Sequence, residues 1–266
     1  MSHITTSSFT GTTSSTRNAL PTIGLLQIIL SLLSFSSTSL AADAAAWRGR
    51  SIYQAVTDRF ARPDGSTTAP CDPTAEQYCG GTWQGLIKQL DYITGMGFTA
   101  VWISPITAPI PIPGAYHGYW QQNLYELNTA FGNASDLIDL ANALHARDML
   151  LMVDIVVNHN GNVGYPNETV YTQFTPFDDE SYYHTYCNIT NWNDPTMIEE
   201  CWLGDDVISM PDLRTEDPTV QGEYQTWISE LVSNYSIGLS FPVHRYLTLA
   251  DSGSIRWSSN RHSQAR

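Results

Sequence analysis

Asn158 and His159 directly follow an apolar run, residues 150–157, that a single carboxylate, Asp154, interrupts. A run of this kind, rich in β-branched residues, predicts a strand buried on both faces, as at the centre of a parallel sheet. In a parallel α/β barrel the loops that leave the carboxyl ends of the strands converge on one pocket. We therefore expect Asn158 and His159 to be well placed for chemistry, although an Asn-His pair after a strand is often only a turn.

Three earlier blocks give this pair its context: SIYQAVTDRF at residues 51–60, GFTAVWISP at residues 97–105 and YHGYW at residues 116–120. With residues 154–159 they stand in the order and spacing of the first conserved blocks of the α-amylase family of glycoside hydrolases. The chain from Trp47 to Ile237 resembles secreted fungal α-amylases most closely. Several independent blocks in register make the resemblance specific.

The resemblance implies that four side chains bind an α-1,4-glucan such as starch. Tyr119 and Trp120 would form a stacking platform beside the cleaved bond, while His117 and His159 would donate hydrogen bonds to ring hydroxyls. A neutral polyol needs this mixture of flat apolar faces and oriented polar partners. Core packing is the alternative role for Trp120. Asp154 is expected to hold neighbouring active-site groups rather than to transfer protons.

The resemblance also implies a structural calcium ion between the barrel and an inserted segment. Its ligands would be the Asn158 side chain, Glu199 through its backbone carbonyl, and Asp212. Calcium prefers several oxygen ligands in a loose geometry. A fourth ligand would come from a segment after strand four that is not recognisable here, so we expect an incomplete and weaker site. For each carboxylate taken alone, a solvated surface group is the simpler explanation.

No residue can be named as a catalyst. Retaining hydrolysis requires a carboxylate nucleophile and a second carboxyl as acid/base, and the family takes its nucleophile from a D-G-x-R-x-D motif in strand four. After Ile237 this chain instead continues GLSFPVHR, with neither the arginine nor the aspartate of that motif in its place. We therefore expect strands four to eight to be missing and the chain to be inactive. A change of reading frame or splice junction would account for the Ser- and Arg-rich tail.

The resemblance implies a partial (β/α)8 TIM barrel of class α/β, comprising the first three βα units, with a small irregular or β domain inserted after strand three. Apolar periodicity places the individual elements. The predicted strands are residues 52–56, 99–103 and 150–157, and the predicted helices are residues 82–93, 135–147 and 217–235. The predicted domains are a leader (1–42), the barrel (43–157), the insertion (158–213), the third barrel helix (214–237) and a divergent tail (238–266).

The composition limits the partners. The chain has 266 residues, is 42% apolar and 11% aromatic, and carries a formal net charge of −14. This is a globular composition, and so much negative charge disfavours nucleic acid and anionic membrane surfaces. Cations and neutral ligands such as sugars fit better, and we expect a monomer.

The four cysteines form two close pairs, Cys71 with Cys79 and Cys187 with Cys201. Such pairs are expected for disulfides in an oxidising compartment; zinc is the alternative, but neither pair has C-x-x-C spacing.

The apolar run at residues 23–33, followed by small residues, predicts a cleaved secretion signal and is too short to span a bilayer. In a secreted chain the glycan acceptors are Asn133, Asn167, Asn188 and Asn234, and we predict a glycan on Asn234.

Three functions remain open at this point. The first is a calcium-dependent, retaining hydrolase of internal α-1,4 bonds, cut off before its catalytic carboxylates; a related α-glucan transglycosylase shares the same blocks. The second is a non-enzymatic carbohydrate-binding protein that uses Tyr119, Trp120 and His159. The third is a gene-model product without function.

Overall fold

The computed structural model describes residues 44–235, 238–240, 247–249 and 255–257. The α-helices of this part are α1 (Ala44–Arg48), α2 (Thr57–Phe60), α3 (Trp83–Lys88), α4 (Leu90–Gly95), α5 (Ala134–His145), α6 (Pro195–Glu200) and α7 (Pro218–Tyr235). The strands are β1 (Ile52–Ala55), β2 (Ala100–Ile103), β3 (Thr107–Pro109), β4 (Gln121–Leu127), β5 (Leu150–Asp154), β6 (Asn162–Val163), β7 (Leu203–Gly204), β8 (Ile208–Met210), β9 (Gly238–Ser240), β10 (Leu247–Leu249) and β11 (Ile255–Trp257). The predicted leader and most of the predicted tail lie outside the described residues.

A parallel sheet in the order β1-β2-β5-β9 organises the fold. Its register places Tyr53 beside Val101 and Val101 beside Leu151, so consecutive barrel strands are neighbours. Helices α3 and α4 connect β1 to β2, α5 lies between β2 and β5, and α7 precedes β9. This alternation of parallel strands with helices is that of a TIM-barrel-type fold.

We expected three parallel strands, but the described sheet has four. β9 pairs with β5, with Met152 beside Gly238 and Asp154 beside Ser240. Parallel pairing uses backbone N–H and C=O groups. A sequence that lacks the D-G-x-R-x-D side chains can therefore still add a strand at this edge.

The predicted helix at residues 82–93 is divided into α3 and α4. Thr82 caps α3, because its hydroxyl accepts a hydrogen bond from the backbone N–H of Gly85. Gln89 stands between the two helices with non-helical angles, φ −108° and ψ 7°. Its side chain donates to the carbonyl of Gly65 at 2.6 Å, which ties the helix break to the preceding loop.

Helix α5 begins with a capping box. The Asn133 side chain accepts from the backbone N–H groups of Ser135 and Asp136, and the Asp136 carboxylate accepts from the N–H of Asn133. The helix buries Leu137, Leu140 and Leu144 against the sheet side of the core. Strand β5, which follows, ends at Asp154 rather than at Val157 as predicted, although residues 155–157 remain buried.

Residues 158–213 contain a small antiparallel sheet in the order β6-β8-β7. Part of this segment shares the main hydrophobic core, because Phe174, Phe177 and Leu213 are buried in the same cluster as Val153 of β5 and Trp227 of α7. Trp227 also joins α7 to β4, because its indole N–H donates to the carbonyl of Leu124 at 2.7 Å. The segment is thus packed onto the barrel elements through shared apolar contacts.

Both predicted cysteine pairs are disulfides in the structure. The Cα atoms are 5.5 Å apart for Cys71–Cys79 and 4.7 Å apart for Cys187–Cys201. Each bond closes a loop in a segment with little regular structure. No helix among the described residues is both long enough and apolar enough to cross a membrane.

Candidate sugar-binding and calcium site

Three of the predicted sugar-binding residues form one aromatic cluster at the start of β4. A 3-10 helix, Pro113–His117, ends at Gly118, whose positive φ of 85° turns the chain towards Tyr119 and Trp120. A Cβ at Gly118 would lie 2.8 Å from the carbonyl oxygen of Pro105, so only glycine fits this turn. The His117 ring stacks beside Tyr119 (5.7 Å between centroids) and meets Trp120 edge-on (4.5 Å).

The protonation of His117 follows from its surroundings. Burial lowers the pKa of His117 to about 4, so the ring is neutral near pH 7. Its Nδ1 accepts a hydrogen bond from the backbone N–H of Tyr119 at 3.0 Å. The ring proton must therefore be on Nε2. This leaves Nε2–H as a donor for a ligand hydroxyl, which is the role predicted for His117.

A cavity of about 300 Å³ opens beside this cluster. It is lined by Gln54, Ala55, Val56, Arg59, Ser104, Tyr116, His117 and Tyr119. The Arg59 guanidinium lies 3.9 Å from the centre of the Tyr116 ring and fixes one wall. The cavity is at the small end of the range for ligand pockets and combines polar groups with ring faces.

Asp154 holds Tyr119 in place. The Tyr119 hydroxyl donates to Asp154 Oδ2 at 2.8 Å, and Asp154 is 1% exposed. Burial raises the pKa of Asp154 to about 6, although the hydrogen bond from Tyr119 acts in the opposite direction. Burial and the neighbouring carboxylate also raise the pKa of the Tyr119 hydroxyl, which keeps it protonated as a donor. Asp154 Oδ1 is buried and has no hydrogen-bond partner among the described residues.

His159 contacts the backbone of the same cluster. Its Nε2 lies 3.1 Å from the carbonyl oxygen of Tyr119, and its Nδ1 lies 3.3 Å from Asn158 Nδ2. Both ring nitrogens thus face protein groups in this structure. Direct donation from His159 to a sugar requires one of these contacts to open and remains a prediction.

Asn158 and Asp212, two of the three predicted calcium ligands, are adjacent. Asn158 Nδ2 donates to Asp212 Oδ1 at 2.9 Å, and the backbone N–H of Leu213 donates to the Asn158 carbonyl at 2.8 Å. Asp212 is fully buried, and its Oδ2 lies 2.8 Å from His184 Nδ1. A buried carboxylate next to a carboxamide offers the oxygen donors that calcium prefers.

The third predicted ligand, Glu199, lies in the short helix α6. Within the described residues, no group of three or more His, Cys, Asp or Glu side chains is arranged to hold a metal ion. The residues present therefore fit calcium only in part, through one carboxylate and neutral oxygens.

Arg59 and His184 contact the predicted site but were not selected from the sequence. Arg59 lies in the sequence block at residues 51–60, so its position in that block could have identified it. His184 lies in the aperiodic segment, 28 residues before Asp212, and only the folded chain brings the two together.

Comparisons with known proteins decide the family. A family model described as the α-amylase catalytic domain matches residues 54–250. This chain belongs to the α-amylase family. The match extends past Ile237 and includes β9, so the expectation that the resemblance stops at Ile237 was wrong.

Fungal members of the α-amylase family are among the relatives that the chain matches. The chain is 56% identical over 198 residues to α-amylase 2 of Schwanniomyces occidentalis, covering 73% of this chain and 39% of the relative. It is 52% identical to the α-amylase of Saccharomycopsis fibuligera, covering 73% of this chain and 40% of the relative. The solved α-amylase structure of Malbranchea cinnamomea superposes with a TM-score of 0.73 at 54% identity, covering 75% of this chain and 43% of that one. The chain thus spans about two fifths of the length of these curated relatives.

Proposed function

We propose that this chain carries the glucan-binding portion of a retaining, internally acting α-amylase and binds α-1,4-glucan without hydrolysing it. One observation carries the proposal: His117, Tyr119 and Trp120 form a single cluster beside a cavity, and a buried carboxylate holds it in place. The ring faces would stack on a pyranose while His117 Nε2–H donates to a hydroxyl. Asp154 and His159 would position Tyr119.

The absence of hydrolysis is proposed from the residues of the fourth strand. β9 is formed by Gly238, Leu239 and Ser240, none of which has a carboxylate. In the register, Ser240 stands beside Asp154 on the neighbouring strand. A retaining mechanism requires two carboxyl groups facing each other across the bond, and Asp154 is committed to Tyr119.

Calcium is proposed to join the segment at residues 158–213 to the barrel elements. Asn158 follows β5 and Asp212 follows β8, so a cation bound by both would link two parts of the chain that already pair through backbone hydrogen bonds. The ion would supply structural cross-linking only. The proposed location is extracellular, which the two disulfides support because such bonds persist in oxidising compartments.

Selectivity between glucans tests the proposal. The purified chain is incubated with starch granules and, as the matched control, with cellulose, in which the same glucose units are joined by β-1,4 bonds. We expect the chain to sediment with starch and to remain in solution with cellulose. Equal binding to both polymers, or to neither, would contradict a site for α-1,4-glucan.

A further inference from the structure

Tyr186, Asn188 and Thr190 form one exposed face of an extended segment. Asn188-Ile189-Thr190 is an acceptor sequence for an N-linked glycan. Asn188 forms a parallel β-bridge with Trp202, so the chain is extended at this point. Side chains alternate along an extended chain, and residues two apart therefore point to the same side. All three side chains are solvent-exposed.

The Tyr186 ring is fixed beside the acceptor asparagine. Its hydroxyl donates to Asn188 Oδ1 at 2.7 Å, and Tyr186 is 41% exposed. The ring packs at 75° against the buried ring of Trp202, with 5.4 Å between centroids. Cys187, between the two residues, is bonded to Cys201. The amide nitrogen of Asn188, the atom that a glycan would modify, makes no hydrogen bond to another described residue.

We propose that Asn188 carries an N-linked glycan whose first sugar stacks on the exposed part of the Tyr186 ring. The donor is an oligosaccharide linked to a lipid pyrophosphate. The bond between the anomeric carbon and the pyrophosphate oxygen breaks, a bond from that carbon to Asn188 Nδ2 forms, the Nδ2 proton passes to a base of the transferring enzyme, and the lipid pyrophosphate leaves. The inference rests on the proposed secretion.

A second sequence of the same pattern provides an internal comparison. Tyr165-Pro166-Asn167-Glu168-Thr169 also has a tyrosine two residues before the acceptor. There, however, Pro166–Glu168 is a 3-10 helix, and the Thr169 hydroxyl donates to the Pro166 carbonyl at 2.8 Å. In a 3-10 helix the residues that eclipse are three apart, not two. Tyr165 is therefore not placed as Tyr186 is.

The other two acceptors lack such a platform. Phe131 stands two positions before Asn133, but its ring is fully buried, and the Asn133 side-chain oxygen caps α5. Asn234 lies in the last turn of α7, with Val232 rather than an aromatic residue two positions before it. Among the four acceptors, stacking of the sugar on a held ring is available at Asn188.

The first test is glycopeptide mass spectrometry of the full chain made in yeast, with cell-associated and secreted protein analysed together. We expect Asn188 to be glycosylated, and Thr190→Ala to remove that glycan alone. Glycans on other acceptors with Asn188 unmodified would overturn this inference and leave secretion standing. An unmodified chain at all four acceptors would overturn both. Glucan binding is measured separately, so its failure is distinguishable from either result.

The second test isolates the stacking. Tyr186→Ala is compared in the natural background and in Thr190→Ala, which lacks the glycan. We expect the melting temperature to fall by at least about 2 °C more in the glycosylated background, because only there does the variant remove a sugar contact. The matched pair is Tyr165→Ala with and without Thr169→Ala, where the two shifts should agree. Equal shifts for Tyr186→Ala in both backgrounds would show that the ring only packs on Trp202.

Discussion

The backbone N–H of Tyr119 decides which nitrogen of His117 can contact a ligand. It donates a hydrogen bond to Nδ1 at 3.0 Å, so the proton of the neutral His117 ring is on Nε2. The Tyr119 carbonyl oxygen lies close to Nε2 of His159, and the Tyr119 hydroxyl donates a hydrogen bond to Asp154. Tyr119 is thus held at three atoms, and this rigidity lowers the entropy that binding a flexible glucan would cost.

At Trp120 the sugar-binding and core-packing roles predict different results. Trp120 is half-buried, and its ring meets His117. We expect Trp120→Ala to weaken binding of maltoheptaose roughly tenfold, about 1.4 kcal/mol, because a stacking face is lost. Titration calorimetry measures the change, with Tyr92→Ala as the control, since Tyr92 is an exposed aromatic residue on α4. Unchanged affinity in Trp120→Ala would favour core packing.

Asp154 should make the free energy of unfolding fall as pH rises, because its pKa is raised in the folded state. Its folded-state pKa of about 6 is above the ordinary 3.8, so between these values the folded state binds a proton that the unfolded state releases. The free energy of unfolding therefore falls as pH rises from below about 4 to above about 6, through this group by roughly 3 kcal/mol over the whole range. Urea unfolding of Asp154→Asn should lack this component. Asp148→Asn, at a side chain 95% exposed, is the control and should retain it; identical profiles for wild type and Asp154→Asn would contradict the assignment.

Asp212 should carry most of any response to calcium. Calcium that binds only the folded chain raises its melting temperature, and we expect Asp212→Asn to abolish the difference between melting curves with calcium and with chelator. Asp206→Asn removes the same charge from an exposed position of the same segment and should preserve the difference. The comparison uses the calcium-dependent shift, because Asp212→Asn also disturbs the contact with His184. Equal shifts in the two variants would place the ion elsewhere.

Among the elements, α5 shows how much one side chain can contribute. Asn133 satisfies two backbone N–H groups at its start. We expect Asn133→Ala to lower the free energy of unfolding by about 1 kcal/mol, measured by urea denaturation. Ser135→Ala destroys the same glycan acceptor sequence without removing the cap, so it should cost much less. Equal losses would mean that a glycan, not the cap, is responsible.

The regular elements were predictable, while their interruptions were not. Strands β1, β2 and β5 and helices α5 and α7 follow from local apolar periodicity. The division of α3 from α4 depends on Gln89 contacting Gly65, and β9 depends on the backbone edge that β5 presents. Neither contact leaves a periodic signal in the sequence. The motif blocks located His117, Tyr119 and Asp154, but the pairing of Asp212 with His184 crosses an aperiodic segment.

For the molecule as a whole, the central question is whether glucan binding and bond cleavage are separable. The described sheet ends at β1 on one side and β9 on the other. The chain spans about two fifths of its relatives. Its aromatic cluster and cavity lie wholly within the region that the family model matches. We therefore propose that these residues bind glucan and do not cleave it.

One sample of maltoheptaose mixed with the purified chain tests both halves of this claim by proton NMR. Binding broadens the glucose resonances, and hydrolysis produces new reducing-end anomeric signals. We predict broadening that Trp120→Ala reduces, with no growth of the anomeric signals over a day. Sharp resonances at every protein concentration, or reducing ends that accumulate in proportion to the purified chain, would contradict the account.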